Sequence, residues 1–150
     1  MIRVLSMSTA SPPAGGPLSS PGYRLWTAAA RWKAEVRDAL TPHGLTPTQF
    51  FVLGAAGWLS RAQAPNQREV AEFAGLDLMT TSQVVRALEK AKLLAREEDA
   101  NDSRSWRLSP TTHGRHVLKA AALAVRGADE LFFGSHSAAV ARSLSFLDRA

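Results

Sequence analysis

The chain has 150 residues, 45% of them hydrophobic and 21% charged, with a formal net charge of +5 and no cysteine. That length holds one domain with a real core, and the apolar fraction excludes a wholly disordered chain. The lack of cysteine excludes disulfides, thiolate nucleophiles, thiol redox sensing and cysteine-containing zinc motifs.

Residues 1–22 are rich in Ser, Pro and Gly without periodicity and read as a disordered arm. No signal-peptide core is visible there, and no apolar run approaches the ~20 residues of a membrane span. The expectation is a soluble, cytoplasmic protein with no membrane partner.

From Tyr23 the pattern turns helical, with Leu25, Trp26, Ala29, Trp32, Val36 and Leu40 at spacings of three and four, until Pro42 and Gly44 end the helix. A second helix opens at Thr46-Pro47-Thr48-Gln49, where Thr46 is the N-cap, Pro47 takes the first position and Gln49 closes a capping box. It runs through Phe50, Leu53, Ala56 and Trp58, and Ser60 to Pro65 form a loop. Asn66 and Glu69 form a second capping box for a short helix, and Gly75 suits its left-handed end. A fourth helix follows the N-cap Asp77, with Thr81, Val84, Val85, Leu88 and Ala91 on one face.

Leu94 to Glu97 and Ser105 to Leu108 read as strands joined by the polar run 98–103, a hairpin. A long helix follows from about Thr111 to Phe133, carrying Val117, Leu118, Ala121, Val125, Leu131 and Phe132. Gly134-Ser135-His136 breaks it, and a last helix spans about Ala138 to Asp148 with Leu144 and Leu147 inward.

Helix, tight turn, helix and hairpin over residues 66–108 make a winged helix-turn-helix with a small β-hairpin wing in a mainly α chain. Ala71 is small where the two helices cross. Thr80, Ser82, Gln83 and Arg86 point outward, and their types suit base edges: Gln pairs with adenine, Arg with guanine, Ser or Thr with either. A plain helical hairpin with a solvated polar face would present the same residues. The agreement of caps, turn and hairpin on one fold favours the winged form.

The stretches Leu45-Thr46-Pro47-Thr48-Gln49-Phe50 and Met79-Thr80-Thr81-Ser82-Gln83-Val84-Val85-Arg86-Ala87-Leu88-Glu89-Lys90, then Leu93, Arg96, Asp102-Ser103-Arg104, Thr111 and Gly114, together resemble the MarR family of winged-helix transcriptional regulators. The resemblance covers about residues 24–150. It implies one domain over 23–150, with the winged helix-turn-helix at about 46–109 and dimerisation helices at about 23–41 and 111–150. It further implies a homodimer whose recognition helices, about Leu78 to Ala91, each read half of a palindrome in double-stranded DNA. The candidate DNA contacts are Thr80, Thr81, Ser82, Gln83, Arg86 and Lys90, with Arg104 at the wing tip entering the minor groove. Asp102 would hold the wing by pairing with an arginine, for which Arg96 is the candidate. Such proteins often bind a small aromatic or phenolic anion between the dimerisation helices and the DNA-binding lobe. Trp26, Trp32, His43, Phe50, Phe51 and Trp58 are the candidates for that pocket, although aromatics at helical spacing are more often core or interface.

This chain departs from the family pattern at three positions. Lys92 stands where glycine usually ends the recognition helix, so either the turn is altered or the lysine reaches a phosphate. Pro110 is expected to shorten the second strand and start the next helix early. Trp106 is expected to pack on the domain. Charge raises a further question, because residues 66–107 carry seven Lys and Arg against eight Asp and Glu, a formal −1 for the DNA-binding module.

Catalysis finds no support. There is no glycine-rich phosphate loop and no nucleophile elbow, and Asp129 and Glu130 are adjacent on a helix and diverge. His113 and His116 share a helix face, but two imidazoles are not a metal site, so neither cofactor nor metal is expected. The expected function is a sequence-specific DNA-binding regulator, a repressor released by a small ligand. The alternatives are a protein-interaction platform and a small-molecule binding protein that has lost DNA recognition.

Overall fold

In the computed structural model the described residues are 17–100 and 102–145, apart from the side chains of 17 and 102–104. Along the chain they form α1 (Pro21–Leu40), α2 (Pro47–Leu59), α3 (Gln67–Ala74), α4 (Leu78–Lys90), β1 (Leu94–Asp99), β2 (Asp102–Pro110), α5 (Thr112–Phe133) and α6 (Ser137–Leu144). Short 3-10 turns lie at Pro17–Ser19, Thr41–His43 and Gly134–His136.

Local chemistry sets the helix starts. Thr46 Oγ1 accepts the Gln49 N–H at 3.2 Å while Gln49 Oε1 accepts the Thr46 N–H at 2.9 Å. Asn66 and Glu69 repeat this exchange at 2.9 and 2.7 Å. Asp77 caps α4 by accepting from the Thr80 N–H and from its hydroxyl, at 2.8 and 2.7 Å. Those two bonds hold the Asp77 carboxyl below its usual range, because they favour the charged form.

α1 starts earlier than the periodicity indicates. Ser20 Oγ accepts the Tyr23 N–H at 3.2 Å and Pro21 takes the first helical position, so residues 17–22 belong to the folded chain rather than to an arm. The rest of the expected arm, 1–16, lies outside the described residues, as do Leu147 and the expected end of the last helix at Asp148.

The turn after α4 keeps its usual form despite Lys92. The Leu93 N–H reaches the Leu88 carbonyl at 2.9 Å and the Lys92 N–H reaches the Glu89 carbonyl at 2.8 Å, a Schellman motif. Its geometry forces Lys92 to φ 58, a left-handed conformation that disfavours a side chain by about 1 kcal/mol relative to glycine. Two anchors maintain it: Leu93 is buried, and the Thr111 hydroxyl donates to the Lys92 carbonyl at 2.7 Å.

Pro110 does not shorten β2, contrary to expectation. The strand runs through it, with Leu94 paired to Pro110. Proline is tolerated because it lies at the strand's end, where its missing N–H removes little of the ladder. Its carbonyl accepts from Arg115 Nη1 at 2.6 Å, and α5 starts two residues later after the N-cap Thr111.

One core unites the winged lobe with the flanking helices. Val36 and Leu40 of α1, Val52 and Leu53 of α2, and Ala121 and Val125 of α5 belong to the same buried cluster as Val85 and Leu88 of α4. Gly114 lets the first turn of α5 press against the Leu93 carbonyl, where a Cβ would collide. Among the described residues, no helix is long and apolar enough to cross a membrane.

Candidate nucleic-acid interface

α4 is pinned from one side. Thr81, Val85 and Leu88, at spacings of four and three, are fully buried against the core. Thr81 therefore cannot be a DNA contact, as its inclusion in the candidate set expected. Its side chain faces inward and its hydroxyl donates to the Asp77 carbonyl at 2.9 Å. Gln83, Arg86 and Lys90 are exposed on the opposite face, and Thr80 and Ser82 are half-buried at its border. The Thr80 hydroxyl is already committed as a donor to Asp77, leaving its oxygen to accept.

The wing is an antiparallel pair whose register shifts between Glu98 and Asp99. Arg107, midway along β2, ties it to the loop before α3. Nε donates to the buried Asp99 carboxylate at 2.6 Å, and Nη1 donates to the Ala64 carbonyl at 3.0 Å and approaches Glu69 at 3.4 Å. The Leu108 N–H adds a bond to the Pro65 carbonyl at 2.8 Å, so the loop before α3 is stitched to β2. Arg96 reaches back to the last turn of α4, where Nη2 donates to Glu89 Oε2 at 2.8 Å. The Arg96 guanidinium also lies 5.7 Å from the Trp106 ring centroid, which covers one face of an otherwise exposed indole. The side chains of Asp102 and Arg104 lie outside the described residues, and their backbone belongs to β2. Sequence reasoning missed Glu89, Asp99 and Arg107 as wing supports, because their pairings cross elements.

These contacts answer the charge question. Glu69, Glu72, Asp77, Glu89 and Asp99 all serve caps or ion pairs inside the module. Arg86, Lys90 and Lys92 are exposed, and none forms an ion pair among the described residues. The formal charge of the module is negative, yet the outer face of α4 is cationic. Local charge is what phosphates meet.

A sequence profile described as the MarR family matches residues 45–106. The HTH-type transcriptional regulator YdcH of Bacillus subtilis is 34% identical over 121 residues, 80% of this chain and 82% of that one. The chain belongs to the MarR family of transcriptional regulators. The HTH-type transcriptional repressor Rv2887 of Mycobacterium tuberculosis is 34% identical over 108 residues, 72% of this chain and 76% of that one. The crystal structure of Rv2887 with salicylic acid matches at TM-score 0.68 and 30% identity, over 86% of this chain and 96% of that one. CouR from Rhodococcus jostii RHA1, bound to p-coumaroyl-CoA, matches at TM-score 0.78 and 28% identity, over 89% and 93%.

In this MarR-family chain the six aromatic and histidine candidates do not gather at one place. Trp32 lies 6.0 Å from Phe51, and Phe50 lies 5.3 Å from Phe51, ring centroid to centroid. Trp32 also donates from Nε1 to Asp129 Oδ1 at 2.7 Å. Trp26 is exposed on α1, and His43 sits half-buried in the turn after it. Trp58 lies two turns along α2 from Phe51 and is exposed, with the Arg61 guanidinium 4.7 Å from its ring centroid.

Beside Arg61 is a cleft of about 430 Å³ between the end of α2, the end of β2 and the first half of α5. Arg61, Arg115 and Lys119 line it over a floor that includes Pro110 and Leu118, and no carboxylate is among its lining residues. His113 and His116 are exposed, and among the described residues no group of three or more metal-ligating side chains could hold an ion.

Proposed function

We propose that this chain is a homodimeric repressor that occupies a near-palindromic operator and leaves it when a small aromatic anion binds. The observation that carries the reading is the outer face of α4. Gln83, Arg86 and Lys90 stand exposed on a helix braced by α3 and flanked by a wing, the geometry that places a recognition helix in a major groove. Thr80, Ser82, Gln83 and Arg86 are assigned to bases, Lys90 to the backbone, and Arg104 to the minor groove, where negative potential is concentrated.

Dimerisation is supported by a set of exposed apolar side chains on the flanking helices. Leu25 and Trp26 on α1, Leu123 and Leu131 on α5, and Leu144 on α6 are all exposed and all outside the winged lobe. A groove of about 320 Å³ among these helices, lined by Leu25, Trp32, Phe132, Phe133, Val140 and Leu144 among others, is continuous with them. An apolar surface of this kind is an interface, and a twofold pairing through it presents two recognition helices to a palindrome.

Release by a ligand is supported by the cationic cleft at Arg61, Arg115 and Lys119, which spans the winged lobe and α5. The relatives crystallised with salicylic acid and p-coumaroyl-CoA point to the same ligand class. A ligand there acts only through unequal affinity for the DNA-competent and DNA-incompetent arrangements. The test is a mobility-shift titration on a duplex selected by the protein from a random pool. Expected are complexes of two protomers per duplex, dissolved by salicylate in the wild type and resistant in Arg115→Ala. A complex of one protomer overturns the dimer, and indifference to every aromatic acid tried overturns ligand release.

A further inference from the structure

The first turn of α4 carries a feature that neither core, wing nor dimer face accounts for. Leu78 and Met79 are its first two residues, and they are 52% and 73% exposed. The same helix buries Thr81, Val85 and Leu88, so its inward face is already filled. The exposed apolar residues assigned to dimerisation lie on α1, α5 and α6, and none is on α4. Leu78 turns toward the groove at the foot of the wing, which it lines with Asn66, Arg96 and Trp106. Met79 is left as the free apolar group at the leading end of the helix.

We propose that Met79 reads the C5-methyl group of a thymine in each half-site. The inference rests on the DNA-binding reading of α4 and adds to it a specificity element of different chemistry. Residues at the N-terminal end of a recognition helix are those that meet base edges. Of the four bases, only thymine presents an apolar group in the major groove, its methyl. An unbranched thioether side chain adapts to such a target more readily than a branched one. Electrostatics argue the same way: the Asp77 carboxylate at the N-cap repels phosphate, but it is turned onto Thr80 by two hydrogen bonds. The cations Arg86 and Lys90 follow about two and three turns after Met79 on the same outer face.

The experiment uses the full-length protein and a duplex it selects from a random pool. Each thymine is replaced singly by deoxyuridine, which removes the methyl and nothing else, and affinity is read by fluorescence anisotropy. One replacement in each half-site is expected to weaken wild-type binding about fourfold, the worth of one buried methyl-sized group. Met79→Ala, which loses the contact in both half-sites, is expected to bind the thymine duplex about as weakly as the wild type binds a duplex replaced at both sensitive thymines, and to be indifferent to either replacement. Met79→Leu is expected to keep the sensitivity. Circular dichroism should be unchanged in both variants, because the side chain is exposed. A selected duplex with no methyl-sensitive thymine, or a Met79→Ala variant that keeps the full sensitivity, overturns the proposal alone. Failure to select any duplex overturns the DNA reading together with it.

Discussion

Arg107 and Asp99 face each other across the wing at 2.6 Å, with the carboxylate buried and the guanidinium also held by the Ala64 carbonyl. This one side chain ties three parts together: the tip of β1, the middle of β2 and the loop before α3. Arg107→Ala removes an ion-pair partner of the buried Asp99 carboxylate and a donor to the Ala64 carbonyl at once. It should destabilise the fold by about 2–3 kcal/mol, read from urea unfolding. A loss within about 0.5 kcal/mol, the range of ordinary surface substitutions, would show that the wing is anchored elsewhere.

Lys92 gives a prediction of opposite sign. At φ 58 glycine is the better residue, so Lys92→Gly should stabilise the protein by about 1 kcal/mol and raise its melting temperature. The same variant decides whether the lysine reaches DNA. The salt slope of binding falls by about one if Lys92 neutralises a phosphate, and is unchanged if it does not.

Gly114 tests the joint between the winged lobe and α5. A Cβ there meets the Leu93 carbonyl, which is backbone and cannot swing aside. Gly114→Ala should cost about 1–3 kcal/mol. Gly127→Ala, on the same helix with open space around it, should be neutral or stabilising in the same thermal melt.

The cap of α4 makes acid stability legible. The Asp77 carboxyl is held low by the Thr80 hydroxyl and N–H, so its folded value lies under its unfolded one. Its contribution is therefore fully present above the unfolded carboxylate value near ~3.9 and is lost as pH falls through the folded value. Asp77→Asn keeps a capping oxygen but cannot titrate. Between pH 6 and pH 3 the wild type should lose more stability than this variant, and equal losses would remove Asp77 from the account.

What the sequence made legible was mostly local. The capping boxes at Thr46 and Asn66, the cap at Asp77 and the left-handed Gly75 each involve residues three or four apart, and all were readable as written. Ser20 and Pro21 are a cap and a first-turn proline of the same kind, but the Ser, Pro and Gly around them masked the signal. Thr81 shows where the two readings part: the helix periodicity puts it on the inward face, where it lies buried, and only the family resemblance made it a DNA contact. Arg96 was legible as a wing support but its partner Glu89 was not, because that pairing runs around a turn and into a strand, and Arg107 meets Ala64 from 43 residues away. The cleft at Arg61, Arg115 and Lys119 depends on α2 and α5 meeting, which no spacing along the chain encodes.

The most direct test of the central claim is fluorescence anisotropy of the full chain on its selected duplex and on a scrambled duplex, across a salt series. Binding should be on the order of 10³-fold tighter to the selected duplex, fall steeply with salt, and weaken by about 1–3 kcal/mol for Arg86→Ala. Equal affinity for the two duplexes at every salt concentration would contradict it and make the winged lobe a platform for proteins.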